Sequence, residues 1–422
     1  MTSNFSLSII CICWTMALLV ACTHQEAPIV KRKEPAISIG KSVEKSTDAA
    51  VPAPGLQVAQ EGPPDPLALL EQALESSRQD MAVDLITRGV GTPPIGKDGN
   101  PLFLYALKHN QSQVVRAFLA SDMDPNIRGS NESTLLGYCL EDGQLEIASQ
   151  LIAKGADVNA EGGDGYTPLT LASVYCHKNI AQTLIAKGAN INQNSDYGLN
   201  PLKEAISSDC KEVAFLLIDK GADVNYSDAV RFTPLWMAAD KGHADIAERL
   251  IAKGAKLDVP DTNGQTALNR AVIVGHYDVA RLLVSRGADV NAADNFGDTP
   301  FMHALKMGRE DLAGSMLAKG ANINQRSTSG YTPLYYALSH NLKNIAGLLI
   351  AKGADVKSKA EDGTTMLMLA ASKGYSDICE RLIAKGVELN ARDKSGTTAL
   401  GYATLYSCKD TANLLRAKGA LP

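Results

Sequence analysis

The stretch TPLTLASVYCHKNIAQTLIAKGANIN, Thr167 to Asn192, reads as two short helices joined by a turn. Thr167 is placed to cap a helix N-terminus with its hydroxyl. Pro168 then falls at the first helical position, where its missing N–H costs nothing. Leu169 and Ala172 give the first helix a narrow packing face. Ile180, Ala181, Leu184 and Ile185 recur at helical spacing and give the second helix an apolar stripe. Gly188 stands where a helix end calls for a left-handed residue. A pair of helices this short cannot bury both apolar faces alone, so the stretch needs neighbours of its own kind.

Those neighbours are present. The pattern Thr-Pro-Leu-x-x-Ala recurs at Thr167, Asn200, Thr233, Thr266, Thr299, Thr332, Thr365 and Thr398, with weaker versions at Pro101 and Thr134, and every interval is 33 residues. From Thr134 on, a Gly-Ala type turn follows each start by 21 residues, as at Gly188-Ala189, Gly221-Ala222 and Gly353-Ala354. A degenerate unit one period upstream starts at Ala68 and reaches Gly89, which makes about eleven units. Asp164-Gly165, Asn263-Gly264, Asp362-Gly363 and Ser395-Gly396 supply tight-turn dipeptides between units. The expected fold is an all-α solenoid of helix-turn-helix units with β-turns between them. Ten steps at the usual helix spacing of about 8–10 Å give an arc on the order of 100 Å.

With period, caps and turns in register, the chain strongly resembles the ankyrin-repeat family, whose unit is a β-turn plus two antiparallel helices. The resemblance runs from about residue 66 to the end. The His of the family's Thr-Pro-Leu-His signature is absent from every unit, replaced by Thr170, Lys203, Trp236, Asn269, Met302, Tyr335, Met368 or Gly401. That puts in doubt the hydrogen bond the histidine makes between consensus units. The end units are degenerate, as capping requires.

Ahead of the array, Leu7 to Ala21 reads LSIICICWTMALLVA, an uncharged apolar run too short to span hydrocarbon as a helix but suited to a secretory signal. It ends in Leu19-Val20-Ala21-Cys22, which resembles the lipobox of bacterial lipoproteins. The resemblance implies cleavage before Cys22 and a lipid on its thiol; ordinary cleaved secretion and an uncleaved anchor are the alternatives, and the n-region MTSNFS lacks the usual Lys or Arg. By the same resemblance, Thr23 after the Cys favours the outer membrane, facing the periplasm. Residues 22–65 then form the lipidated Cys and a Pro/Ala/Ser-rich tether that cannot bury a core, with a span of roughly 35 Å as a flexible chain. Residues 66–422 are the array.

The whole chain has 422 residues, 45% hydrophobic, 21% charged and 5% aromatic, with 35 Gly and a net charge of −5. This excludes a wholly disordered or collagen-like chain, and the mild acidity gives no electrostatic footprint for nucleic acid. No Gly-x-Ser-x-Gly, His-Glu-x-x-His or phosphate loop occurs, so no enzyme, cofactor, metal or small-molecule substrate is expected. His177, His243 and His276 share one unit position and match the family's turn between helices, a structural role. His109 and His340 share another, where solvation competes with a partner-facing role.

Past Cys22 five cysteines remain: Cys139, Cys176, Cys210, Cys379 and Cys408. In an oxidising compartment, Cys176 with Cys210, or Cys379 with Cys408, lie in adjacent units. Equivalent positions are too far apart to bridge, though the one-residue offset of Cys210 shortens its gap. The alternative is that all five are small core residues.

Ankyrin arrays, by resemblance, bind proteins on a concave surface made of the turns and first helices. At those positions the chain carries Tyr166, Tyr175, Tyr197, Phe232, Phe296 and Tyr331, with Trp236 and Tyr335 where the signature His is missing. Aromatic residues make good interface anchors, because they bury much area at small entropic cost. The stretch from Tyr166 to Tyr336 is therefore the expected face for a protein partner. The other reading is that Tyr166 and Tyr331 merely cover neighbouring turns and Trp236 packs between helices. The expected function is a lipid-anchored periplasmic protein-binding module. Analogy of fold and compartment adds two alternatives, an immunity protein neutralising an interbacterial toxin such as a phospholipase effector, and a scaffold or protector of periplasmic enzymes.

Overall fold

The computed structural model describes residues 65–90, 95–96, 99–195 and 198–421. The signal-like segment, Cys22, the tether and Tyr197 lie outside the described residues. Among the described residues there are 22 helices and no strand, in an unbroken succession of helix pairs.

The Thr167 unit shows how the sequence builds each pair. The Thr167 hydroxyl accepts from the Thr170 amide at 3.1 Å and starts helix Pro168–Val174, with Pro168 inside its first turn. A one-residue left-handed turn leads into helix Lys178–Ala186. Gly188 ends that helix at φ +92°, and the Ala189 amide reaches back to the Leu184 carbonyl at 2.9 Å. The same threonine cap recurs at Thr134, Thr233, Thr266, Thr299, Thr332, Thr365 and Thr398, and Asn200 does the same work in its unit.

The degenerate first unit differs from expectation. Its first helix is Pro66–Glu75, starting ahead of Ala68 because Asp65 caps it and Pro66 occupies its first turn.

From the Thr134 unit onward, first helices pack on first helices of the neighbouring units and second helices on second helices, and the buried residues form one continuous core. Alanines five residues after each start, from Ala172 through Ala403, are 0% exposed, which lets the first helices approach closely. Phe103 and Phe118 stand where the Thr167 unit has Leu169 and Leu184 and pack edge to face at 6.1 Å, so aromatic rings replace leucines near the N-terminal end. Next to this pair, between helices Ser112–Ala120 and Leu145–Ala153, a cavity of about 240 Å³ opens, lined in part by Leu107, Val115, Leu119 and Ile147.

Two hydrogen-bond systems hold the turns. Within a turn, the Asp261 amide donates to Gln265 and the Gly264 amide returns to Asp261. Gly264 lies at φ +76°, and a Cβ there would meet the Asn295 amide at 2.9 Å, so only glycine fits. Between units runs a ladder of side-chain amides. Asn225 accepts from the Lys256 amide at 2.8 Å and donates to the Gly254 carbonyl at 3.2 Å; Asn159 and Asn291 repeat both bonds in their own units. The ladder breaks at Lys357, which occupies the equivalent position without an acceptor.

A candidate protein-interaction face

The turns and first helices together form the face on which the eight aromatic residues were expected. The structure sorts the seven it describes into exposed, half-buried and buried classes. Tyr175, the residue that ends helix Pro168–Val174, is 45% exposed, and Phe296 on a turn is 58% exposed. The Phe296 backbone is held on both sides, its amide donating to Asp294 at 2.9 Å and its carbonyl accepting from Thr328 at 2.8 Å. The ring therefore projects from a fixed support. Tyr166, Phe232, Tyr331 and Tyr335 are half-buried.

Trp236 is a correction to the expectation of an exposed inner residue, because it is only 5% exposed. Phe232 stacks on its indole with centroids 3.9 Å apart, and the Arg270 guanidinium lies 5.1 Å from the ring centroid. Arg270 is in turn paired with Asp240, Nε to Oδ1 at 2.6 Å. The neighbouring unit thus closes over the indole, and its Nε1 is left without a partner.

Tyr331 and Tyr335 form a second stack at 4.3 Å, and Tyr336 meets both edge-on at 5.8 Å. Burial pushes the Tyr335 phenol up, with Tyr331 and Asp362 adding to it. Tyr336 is buried, and the Lys306 ammonium sits 4.7 Å from its centroid.

Polar pairs brace this part of the face. His303 Nε2 lies 2.9 Å from Asp294 Oδ2, and the Asp294 side chain is 1% exposed. Burial works to raise the Asp294 pKa. The His303 hydrogen bond and charge, with the Asp298 and Phe296 amides, outweigh it and hold the carboxyl below its usual range. Asp393 makes the same kind of staple with the Tyr402 hydroxyl at 2.7 Å.

The histidines grouped by unit position do what their place at the start of the second helices allows. His177 Nε2 lies 2.9 Å from the Leu140 carbonyl of the preceding unit, and His243 Nε2 lies 2.7 Å from Asp209. His109 and His340 use Nδ1 on the Tyr105 and Tyr336 carbonyls of their own helices. Among the described residues no group of His, Cys, Asp or Glu is arranged to hold a metal, and no helix is long and apolar enough to cross a membrane. At the signature-histidine position Asn269 accepts from the Thr266 hydroxyl at 2.6 Å and donates at 3.3 Å to the Ala292 carbonyl, in the stretch that leads from its own unit to the next.

Cys176 and Cys210 are joined, their Cα atoms 5.0 Å apart. The separation is 34 residues rather than 33, so Cys176 on the turn faces Cys210 at the start of the next unit's second helix. Cys379 and Cys408, the other adjacent pair, are free thiols, as is Cys139. Burial pushes the Cys139 and Cys379 thiols up to about 12, which leaves them inert packing groups.

Glu141, Asp164 and Glu204 belong to this face and were not singled out in the sequence. Glu141 and Asp164 belong to the Thr134 unit and Glu204 to the Asn200 unit; all three raise the Tyr166 pKa, and Glu141 and Asp164 that of Tyr175.

A model of ankyrin repeats matches residues 70–162, 160–228, 225–294, 288–360 and 355–422. No curated protein matches the chain. Repeat period, caps, turns and a family match that extends from residue 70 to the last residue agree, and the chain belongs to the ankyrin-repeat family.

Proposed function

We propose that the protein is a lipid-anchored module of the bacterial periplasm that holds a protein partner on the concave face of its array. Ankyrin repeats generally mediate protein–protein interaction, and proteins built from them are typically non-enzymatic scaffolds. One observation carries the assignment to this face: Tyr175 and Phe296 stand 45% and 58% exposed on rigid supports, flanking the half-buried Phe232 and followed by Tyr331 and Tyr335. Exposed rings on a pre-formed surface lose little entropy on binding and bury a large area. The lipobox-like Leu19-Val20-Ala21-Cys22 supports the anchor, and the Cys176 and Cys210 pairing fits an oxidising compartment.

The test is cross-linking from defined positions in the native envelope. A photoreactive residue at Phe296 or Tyr175 is expected to capture one and the same protein, and Phe296→Ala with Tyr335→Ala to abolish capture from Tyr175 without loss of folding. Equal capture from outer-helix positions such as Glu248 removes the assignment. Labelled palmitate incorporation abolished by Cys22→Ser tests the anchor independently.

A further inference from the structure

Four turns of the array carry an aspartate five residues ahead of the threonine cap: Asp228, Asp261, Asp294 and Asp393. In each, Oδ1 accepts from the backbone amides two and four residues on, at 2.8–3.1 Å. These paired bonds hold the four carboxylates in one pose, with Oδ2 left for a side chain of the first helices. At Asp294 and Asp393 the residue four places after the cap fills it, His303 Nε2 at 2.9 Å and the Tyr402 hydroxyl at 2.7 Å. At Asp228 that place holds Met237, which has no donor, and Lys203 of the preceding unit fills Oδ2 instead at 2.7 Å.

Asp261 is the exception. The residue is 3% exposed, and its Oδ2 has no partner. The residue four places after its cap is Arg270, which has the donors and the length to fill it. Trp236 stands one period after Lys203, the other route to this oxygen, and its Nε1 is also without a partner. Arg270 has turned the other way, across the joint between helices Pro234–Lys241 and Ala267–Val274. Its Nε donates to Asp240 Oδ1 at 2.6 Å, and its guanidinium lies 5.1 Å from the Trp236 centroid.

One guanidinium therefore serves two carboxylates and satisfies one at a time. On Asp240 it keeps an ion pair and a cation–aromatic contact, but leaves a buried carboxylate oxygen without a donor, which costs free energy. The Asp240 side chain is 26% exposed, so water takes over its carboxylate when the arginine leaves. On Asp261 the arginine completes the pair that His303 and Tyr402 make in their own units, and gives up its place over the indole. Each arrangement forfeits what the other gains, which keeps the two close in free energy.

We propose that Arg270 is a two-position latch over Trp236. Closed, it pairs with Asp240 and covers the indole. Open, it pairs with Asp261 Oδ2, and the Phe232 and Trp236 stack becomes part of the solvent-facing surface of turns and first helices. The exposure of this ring pair is then set by which carboxylate holds Arg270. The latch goes beyond the protein-binding reading of the face and does not depend on it.

The experiment uses the full chain in detergent. Trp14 and Trp236 are its 2 tryptophans, so Trp14→Phe leaves Trp236 as the fluorescent probe. Asp240→Asn is expected to raise acrylamide quenching of Trp236 several-fold, because the open arrangement changes from the minor population to the major one. The Arg270 Nε–H, assigned by its loss in Arg270→Lys, is followed by NMR hydrogen exchange. It is expected to stay protected in the parent, on Asp240, and in Asp240→Asn, on Asp261, and to lose protection when Asp261→Asn is added. Unchanged quenching in Asp240→Asn, or loss of Nε–H protection in that single variant, overturns the latch. Should Asp240→Asn fail to fold, Asp261→Asn alone decides. It removes the second acceptor and is expected to lower the quenching below that of the parent; unchanged quenching then overturns the proposal.

Discussion

Gly374→Cys is expected to create a second bridge, to Cys408, because the array repeats the geometry of Cys176 and Cys210 six units later. Gly374 occupies the turn position of Cys176, and Cys408 the position of Cys210, with the same separation, 408 − 374 = 34 residues. A Cβ placed on Gly374 falls 3.6 Å from Cys408 Cβ and 3.2 Å from its Sγ, inside the usual Cβ spacing of about 3.5–4.5 Å for a disulfide. Closing a loop of this length removes denatured-state entropy equivalent to about 4 kcal/mol. Against this stands the left-handed backbone, φ +71° at Gly374, which costs a side chain about 1–2 kcal/mol; Cys176 already tolerates φ +60°. The net gain is about 2–3 kcal/mol when oxidised, and the reduced variant is less stable than the parent by about 1–2 kcal/mol. Urea unfolding by circular dichroism with and without dithiothreitol measures both signs, and non-reducing mass mapping identifies the bridge. In a solenoid the gain appears in the C-terminal units, which hydrogen exchange locates. The reasoning is refuted if the thiol introduced by Gly374→Cys and that of Cys408 both remain alkylatable after oxidation, or if the oxidised variant is no more stable than the parent.

Other substitutions test separate parts of the account. Lys357→Asn restores the missing rung of the amide ladder toward the Glu388 amide and Gly386 carbonyl, and a gain of about 1 kcal/mol in urea unfolding is expected; no gain means the break is compensated. Trp236→Ala is expected to cost about 3–5 kcal/mol, the loss typical of a buried aromatic, where an exposed anchor costs under ~1 kcal/mol. The Asp294 carboxyl has a folded pKa below its unfolded one, so its contribution is present above the unfolded value of about 3.9 and disappears as pH falls through the folded value. The stability difference between parent and Asp294→Asn is therefore expected to be constant above about pH 5 and to shrink below about pH 4; a difference that grows on acidification contradicts the sign.

What could be seen in the sequence was whatever each unit states locally. The Thr167 cap, Pro168 in the first turn, the Ile180 to Ile185 stripe and the left-handed Gly188 all follow from a few adjacent residues, and the structure has them in place. Asp65-Pro66 was a start signal of the same kind, and following the 33-residue register to Ala68 passed over it. The burial of Trp236 was not readable from its own unit, because Arg270 and its partner Asp240 arrive from the stacking of two first helices. The acidic patch was invisible for the same reason. Stacking brings together residues that are distant in sequence and out of step with the period, so Glu141, Asp164 and Glu204 look like unrelated solvated charges in the linear chain. The cysteine offset of one residue was readable, and the turn geometry converts it into a 5.0 Å Cα separation.

The central claim is that the face of turns and first helices is the one that holds a protein. Photocross-linking in the native envelope from paired positions, Phe296 and Tyr175 on that face against Glu248 and Glu212 on the second helices, tests it most directly. The account predicts a single common adduct from both aromatic positions and none from the two glutamates; adducts of the same protein from the glutamates, or none from Phe296 and Tyr175 in the folded chain, contradict it.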